Sequence, residues 1–156
     1  MGLESVRLWL SKHAPDLPLI EVAESTATVA TAAAALGVEP KRIAKTLAVR
    51  VKDEVFLLVT RGDARLDNIK TKSAFGGRPR MLDPDETLKL TGHPVGGVCP
   101  FGLATPLLVY CDCSLREFDI VYPAAGSLNS SVKVTPDRLF DLVGNRWVDL
   151  CRLPEQ

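Results

Sequence analysis

Residues 55–59 (Val-Phe-Leu-Leu-Val) form a continuous apolar run, and this run constrains the fold more than any other feature of the chain. A strand of this kind has no polar face for water, so both of its faces must be covered by other parts of the protein. The run follows a second Val- and Leu-rich segment, residues 44–51, across Lys52 and Asp53. The pair predicts a β-hairpin buried on both sides.

The rest of the chain alternates helix and strand signals. Five segments carry helix patterns or helix caps: residues 4–12, 28–36, 66–75, 84–91 and 136–143. Short apolar segments predict further strands at residues 19–22, 107–111, 120–122, 130–134 and 146–150. These strands are too many and too short for a doubly wound sheet. We therefore expect a mixed α+β fold with a strongly curved, pseudo-barrel sheet and helices around it.

Length and composition indicate one globular domain, residues 1–156. The 156 residues are 46% hydrophobic and 24% charged, which excludes a disordered or fibrous protein. No segment approaches the roughly 18–20 apolar residues of a membrane span. The four cysteines include no C-x-x-C pair, so we expect a reduced, cytoplasmic protein.

Nineteen basic residues balance nineteen acidic ones, so any attraction to nucleic acid must be local. Residues 61–80 carry a local excess of four positive charges. This strip is either a solvated face or a surface for a phosphate backbone. The residues we expect to contact such a backbone are Arg61, Arg65, Lys70 and Lys72.

Residues 92–102 (Gly-His-Pro-Val-Gly-Gly-Val-Cys-Pro-Phe-Gly) form a loop with four glycines and two prolines. Glycines let a backbone approach a ligand with its N–H groups exposed, and prolines stiffen the loop. The loop is either a bend between sheet elements or a cradle for an oxyanion. It is not a nucleotide-binding loop, because no Gly-Lys-Ser/Thr follows.

Lys45 begins the first strand of the hairpin and shares its side with Leu47, Val49 and Val51. A lysine in such a row either extends to solvent or lines a pocket. In a pocket its ammonium would suit an anionic or carbonyl-bearing ligand.

Familiar catalytic sets are absent from the sequence. His13 and His93 lie in no metal-ligand spacing, and no G-x-S-x-G motif occurs. Cys99 with His93 remains a candidate nucleophile, although a cysteine before proline also suits simple packing. A zinc site at Cys111 and Cys113 is the less favoured reading of that pair, and we predict no metal and no cofactor.

Three segments together resemble the YbaK / prolyl-tRNA synthetase editing-domain family over residues 19–150. They are the Lys45-Thr46-Leu47 strand start, the loop from Thr91 to Gly102, and the Ala125-Gly126 turn before Thr135-Pro136. The Gly-x-x-x-Pro element from Gly96 to Pro100 is the most specific of them.

The resemblance implies a free-standing aminoacyl-tRNA deacylase. Such proteins hydrolyse the ester of a tRNA charged with a wrong small amino acid, here alanine, cysteine, serine or threonine on proline tRNA. A small acyl group enters the pocket while the larger correct one is excluded. The partners implied are mischarged tRNA at its acceptor end and prolyl-tRNA synthetase, with no DNA and no membrane.

The resemblance also implies the site residues. Lys45 would contact the terminal phosphate or ribose, and the backbone N–H groups around Gly96 and Gly97 would stabilise the ester carbonyl. The catalytic set is Lys45, Gly96, Gly97 and Pro100. The substrate-binding set is Thr46, His93, Val98, Cys99, Gly102, Gly126, Ser127 and Ser131.

Two departures from the family leave other functions open. Some branches have a histidine near Tyr122-Pro123, and others have an acidic residue where Ser131 stands. The alternative is a non-catalytic module that binds aminoacyl-tRNA or a synthetase. A small-molecule hydrolase or sensor that uses Cys99 and His93 is the third reading.

Overall fold

The computed structural model describes residues 2–154. Its helices are α1 (Leu3–His13), α2 (Val29–Leu36), α3 (Asn68–Phe75), α4 (Pro84–Thr91) and α5 (Pro136–Val143). Its strands are β1 (Leu19–Glu21), β2 (Ile43–Val51), β3 (Glu54–Arg61), β4 (Arg65–Leu66), β5 (Arg80–Met81), β6 (Leu108–Asp112), β7 (Tyr122–Pro123), β8 (Ser130–Val132), β9 (Arg146–Val148) and β10 (Cys151–Arg152).

The main sheet has the strand order β5-β2-β3-β6-β9, and β7 also pairs with β2. β2 is antiparallel to β3 and β5, whereas β6 runs parallel to β3 and β9 parallel to β6. Two small antiparallel pairs, β1 with β8 and β10 with β4, complete the pairing of residues 2–154. The mixed α+β class is confirmed. Within residues 2–154 the sheet is open rather than closed, and its strong curvature stays a prediction.

The predicted hairpin lies in the middle of the main sheet and is buried on both faces. Its turn places Lys52 at a φ of 55°, in the left-handed region. Phe56 and Leu58 face one core cluster while Leu57 and Val59 face another, and none of the four is more than 2% exposed. Other layers therefore cover both faces, as the apolar run predicts.

The helices begin where the sequence provides caps. The side chains of Asp83 and Thr135 accept hydrogen bonds from N–H groups in the first turns of α4 and α5. α3 begins at Asn68 rather than residue 66, because the carboxylate of Asp67 caps the N–H groups of Ile69 and Lys70. Among residues 2–154, no helix combines the length and the apolar character that crossing a bilayer requires.

Candidate functional site

A cavity of about 330 Å³ lies beside a stretch of β2 that no strand covers. On that side of β2, β7 pairs with Ile43 and Ala44, and β5 pairs with Val49 and Arg50. The gap between β7 and β5 is the floor of the cavity. Its walls come from residues 26–29 at the start of α2 and from the glycine-rich loop. Single residues of two further segments complete them: Met81, Leu82, Pro84 and Thr87 near β5 and α4, and Tyr122, Ala124 and Ser131.

The main chain of Thr46 faces this gap without a strand partner. Ala44 pairs toward β7, and the carbonyl oxygen of Ala48 accepts the N–H of Leu82 on the same side of β2. Because the N–H and C=O groups of a strand alternate in direction, those of Thr46 point the same way. The cavity floor therefore presents one N–H donor and one C=O acceptor.

The glycine-rich loop lines the cavity through Val95, Gly96 and Val98. Among residues 2–154, none of their three N–H groups donates to another protein group. The N–H of Gly97 does donate, to the carbonyl oxygen of Pro94 at 2.9 Å. The N–H groups left for a substrate carbonyl therefore include those of Gly96 and Val98 in the Gly-x-x-x-Pro element, and Gly97 is not one of them.

Gly97 has a packing role. The N–H of Gly126 donates to the carbonyl oxygen of Gly97 at 2.9 Å, so the two loops touch backbone to backbone. A Cβ atom on Gly97 would lie 2.8 Å from the nitrogen of Ser127. Gly126 and Ser127 therefore support the glycine-rich loop, and neither lines the cavity.

The loop before α2 is held against the same support. The N–H of Thr26 donates to the carbonyl oxygen of Leu128 at 2.6 Å, and the amide of Asn129 donates to that of Val22 at 2.9 Å. Gly96 packs so closely on Ala27 and Leu128 that a Cβ atom there would lie 3.0 Å and 2.8 Å from them. Segment 126–129 thus fixes two cavity walls at once.

Lys45 lines the cavity, but its ammonium is already bound by the protein. The Lys45 Nζ donates to the carbonyl oxygen of Ala64, which belongs to the core cluster of Val49 and Phe56. Burial lowers the pKa of Lys45, although Cys151 and Asp63 lie near enough to oppose the effect. The predicted parity with Leu47 and Val49 is confirmed, since both pack on that cluster, whereas the cavity is lined by residues 43–48 from both faces of β2.

Thr46 and Ser131 also line the cavity, whereas four other candidate residues do not. Pro100 and Gly102 border a separate surface groove next to Trp9. His93 and Cys99 are fully buried, and both contact the carbonyl oxygen of Phe101. They hold the end of the loop rather than touch the cavity.

Burial also decides the chemistry of His93 and Cys99. It raises the pKa of the Cys99 thiol to about 12, so almost no thiolate is present near neutral pH. It lowers the pKa of His93, against the opposing hydrogen bond to Phe101. A buried, protonated thiol is a poor nucleophile, so the structure argues against a Cys99–His93 catalytic pair.

The predicted basic strip is only partly available to a ligand. Arg65 and Lys72 are exposed. The ammonium of Lys70 donates to a carboxylate oxygen of Asp149 at 2.9 Å and to the carbonyl oxygen of Cys151 at 2.8 Å. The side chain of Arg61 is 10% exposed and forms ion pairs with Asp63 and Glu117, so it does not lie in the exposed strip.

Asp112, Cys113 and Asp149 are the one group of potential metal ligands among residues 2–154, with their ligand atoms within 4.8 Å of one another. Both carboxylate oxygens of Asp112 already accept N–H groups, from Ser114 and Leu150. The cluster is therefore explained by the fold, and we assign no metal to it.

Residues 26–29 and Thr87 line the cavity but were missed by the sequence interpretation. Thr28 was placed only as the first residue of the predicted helix 28–36; it precedes α2 as its cap, and its side chain accepts the N–H of Thr31. These residues reach the cavity through long-range contacts with segment 126–129 and β2. No local sequence signal reports such contacts.

Comparisons with known proteins agree on one family. The model of the aminoacyl-tRNA editing domain matches residues 23–142. The uncharacterized protein YwhH of Bacillus subtilis is 45% identical over 97% of this chain and 98% of its own length. A proline–tRNA ligase of a Geobacter species is 31% identical over 89% of this chain, which spans 24% of that ligase.

A solved structure gives the same answer at the level of the fold. It is assigned provisionally as a trans-editing enzyme for prolyl tRNA synthetase. It superposes with a TM-score of 0.88 at 33% identity and covers 96% of each chain. The overall fold of this chain is therefore one that other proteins share.

Proposed function

Because this chain belongs to the aminoacyl-tRNA editing domain family, we propose that it is a trans-editing hydrolase. Its substrate would be a tRNA that carries a wrong small amino acid, with alanine, cysteine, serine or threonine on proline tRNA as the candidates. The observation that supports the proposal is a cavity bordered by the free N–H groups of Gly96 and Val98, inside the segment that the family model matches.

The reaction needs little from the protein, because an aminoacyl ester is already activated. A water molecule adds to the ester carbonyl carbon, and negative charge develops on the carbonyl oxygen. The bond to the ribose oxygen then breaks, that oxygen takes up a proton, and the amino acid and the tRNA separate. Two N–H donors at the carbonyl oxygen would stabilise this charge, and one such donor typically contributes a factor of roughly 100–1,000 in rate.

The side chains around the cavity suggest where the proton transfer takes place. Among the described residues that line it, Lys45 and Tyr122 are the only ones with ionisable side chains. Neither is a carboxylate or a histidine that could act as a conventional general base. We expect the ribose hydroxyl of the substrate to orient the water, and the protein to position the ester.

Lys45 would contact the terminal phosphate or ribose. To do so, its ammonium must exchange the hydrogen bond to the Ala64 carbonyl oxygen for one to the substrate. A lysine has a flexible four-carbon stem, which permits such an exchange. The role of Lys45 is therefore to position the acceptor end, while Gly96 and Val98 act on the reacting carbonyl.

The expected partners follow from the reaction. Arg65 and Lys72, with Lys70 beside them, would contact the phosphate backbone of the tRNA. Mischarged proline tRNA also links the protein to prolyl-tRNA synthetase. We expect residues 1–156 to act as one editing domain in the cytoplasm, where mischarged tRNA is formed.

A deacylation assay tests the proposal. Wild-type protein should release amino acid from at least one proline tRNA charged with alanine, cysteine, serine or threonine. Lys45→Ala should lower kcat/KM at least roughly tenfold, the usual effect of losing one charged hydrogen bond. Lys12→Ala, which removes an exposed lysine of α1, should leave kcat/KM unchanged.

Thermal unfolding of both variants separates a loss of activity from a loss of folding. Release of no amino acid from any of the four substrates by folded wild-type protein would refute the hydrolase. Salt-sensitive binding of the same tRNAs without turnover would instead support a binding module.

A further inference from the structure

Two threonine hydroxyls at the wall of the cavity have no hydrogen-bond partner. They are the Oγ1 atoms of Thr26 and Thr46, which are both buried. Among residues 2–154, only one other buried side-chain polar atom, the Nδ1 of His93, is in the same situation. Two of these three atoms thus belong to residues that line one cavity.

An unpartnered buried hydroxyl is costly. A protein loses about 1–3 kcal/mol for each such group relative to a satisfied one. Natural structures leave few of them, and each requires an explanation. A ligand group that supplies the missing hydrogen bond is such an explanation when the hydroxyl lies at a binding site.

The rest of the wall is mainly apolar and small. Ala32, Ala44, Ala48 and Val29 line the same cavity. Of the other threonines there, Thr87 donates to the carbonyl oxygen of Asp83 at 2.8 Å, and the hydroxyl of Thr28 accepts the N–H of Thr31 at 3.1 Å. Thr26 and Thr46 are therefore the threonines of the wall with unused hydrogen-bonding capacity. Their oxygens are closed off from solvent, so each meets a ligand after rotation about χ1, which exchanges the hydroxyl and the methyl group of a threonine.

Size gives the cavity little power to choose between small acyl groups. At about 330 Å³ it is at the lower end of the roughly 300–1,000 Å³ typical of small-molecule sites. Alanyl, seryl, threonyl and prolyl groups differ by at most two heavy atoms. A difference of one methylene changes affinity by only about 1–3 kcal/mol, whereas a site built to hydrogen-bond a hydroxyl rejects an analogue without it far more strongly.

We propose that Thr26 and Thr46 are specificity-determining residues that select a hydroxyl-bearing aminoacyl group, seryl or threonyl, over alanyl and prolyl groups. This inference rests on the proposed deacylase function and names its substrate class. A serine or threonine hydroxyl both donates and accepts, so it can satisfy one threonine as donor and the other as acceptor. Alanine offers neither, and a cysteine thiol only weakly.

The test compares kcat/KM for the hydrolysis of two esters, proline tRNA charged with serine and proline tRNA charged with alanine. Wild-type protein should have the higher kcat/KM on the seryl ester. Thr26→Val and Thr46→Val keep the shape and replace the hydroxyl by a methyl group. Each should lower the seryl-to-alanyl ratio roughly tenfold, with most of the loss on the seryl ester. The ratio is the readout, because a merely structural role would lower both rates together.

A control variant and a stability measurement complete the test. Thr71 is also fully buried, but its hydroxyl donates to the carbonyl oxygen of Asp67 in α3. Thr71→Val should lower the melting temperature and leave the ratio unchanged. Thr26→Val and Thr46→Val should not lower the melting temperature, because no protein hydrogen bond is lost.

Three outcomes would overturn the inference. They are equal rates on seryl and alanyl esters, parallel losses on both esters in the valine variants, and strong destabilisation by Thr26→Val. In each of these cases the proposed function still stands, provided that the protein hydrolyses at least one small aminoacyl ester. If no ester is cleaved at all, the proposed function itself fails.

Discussion

At the scale of single residues, burial divides the cysteines into two groups. It raises the pKa of Cys99, Cys111 and Cys151 to about 12 in each case. Cys113 is exposed, although partial burial and the nearby Asp112 also raise its pKa. Reaction with an alkylating agent requires the thiolate and access to it. The folded protein should therefore react at one thiol among the described cysteines.

Alkylation with iodoacetamide at pH 8, followed by mass spectrometry, checks this expectation. Native protein should carry one label, at Cys113, and unfolded protein four. Deacylation should be unchanged after native labelling, because Cys113 does not line the cavity. Rapid labelling of Cys99, or loss of activity with it, would restore the thiol mechanism.

At the scale of elements, the contact between the glycine-rich loop and segment 126–129 holds the candidate site together. It consists of backbone against backbone at Gly97 and Gly126, so neither loop can shift without moving the other. The same segment holds the loop before α2 in place through hydrogen bonds of Leu128 and Asn129. The position of the Gly96 and Val98 donors thus depends on a contact that leaves no room for a side chain.

Gly97→Ala tests this dependence. The new methyl group must separate the two loops, and such overpacking typically costs about 1–3 kcal/mol of unfolding free energy. We expect a fall in kcat on the best ester that exceeds the fall in folded fraction, measured by chemical denaturation and steady-state kinetics.

Gly37→Ala is the matched control for this variant. Gly37 lies outside the loop contact and, unlike Gly97, has a left-handed φ of 69°, but a Cβ atom there meets nothing within 4 Å. It should cost about 1–2 kcal/mol from backbone strain alone and leave kcat unchanged. Equal kinetic effects of the two variants would contradict the proposed role of the contact.

At the scale of the whole molecule, the basic and acidic residues balance, so the chain has no net formal charge. The chain has nineteen basic and nineteen acidic residues. Arg61 is committed to Asp63 and Glu117, and this pairing holds the pKa of Asp63 below its usual range. The proposed attraction to a tRNA must therefore come from a local group of exposed basic residues, and within the strip of residues 61–80 these are Arg65, Lys72, Arg78 and Arg80.

The salt dependence of tRNA binding tests this division. Arg65→Ala and Lys72→Ala should each reduce the slope of log K against log salt by about one, with no loss of stability. Arg61→Ala should leave the slope unchanged and lower the unfolding free energy, because Asp63 loses its partner. The part of this loss that comes from the Asp63 pair should disappear as the pH falls through the lowered pKa of Asp63, since only the ionised carboxylate is stabilised by the pair, whereas the contact with Glu117 is a separate contribution. If only Arg61→Ala reduced the slope of log K against log salt, Arg61 rather than Arg65 or Lys72 would be the phosphate contact.

The elements of the fold could be predicted from the sequence because their signals are local. Alternation and caps within a few residues predicted the hairpin and the five described helices. The pairing of β3 with β6 and of β6 with β9 joins segments about fifty and forty residues apart, and no local pattern encodes it.

The candidate site was predictable only in part, for the same reason. Lys45, Thr46, Gly96, Val98 and Ser131, which the sequence interpretation placed at the site, line the cavity, and their roles stay predictions. The parity of Lys45 was predicted correctly, but residues from both faces of β2 line the cavity, so parity alone cannot place the Lys45 ammonium. Thr26 reaches the wall only through its bond to Leu128, a contact across about one hundred residues.

The unpaired main chain of Thr46 has an evolutionary consequence. Every amino acid except proline has the same N–H and C=O groups, so most point mutations leave unchanged what the gap between β7 and β5 offers to a ligand. The neighbouring side chains can vary while these main-chain groups stay the same. If the protein is the proposed deacylase, a lineage could exchange one unwanted amino acid for another by altering one or two wall residues, without changing the main chain at the cavity floor.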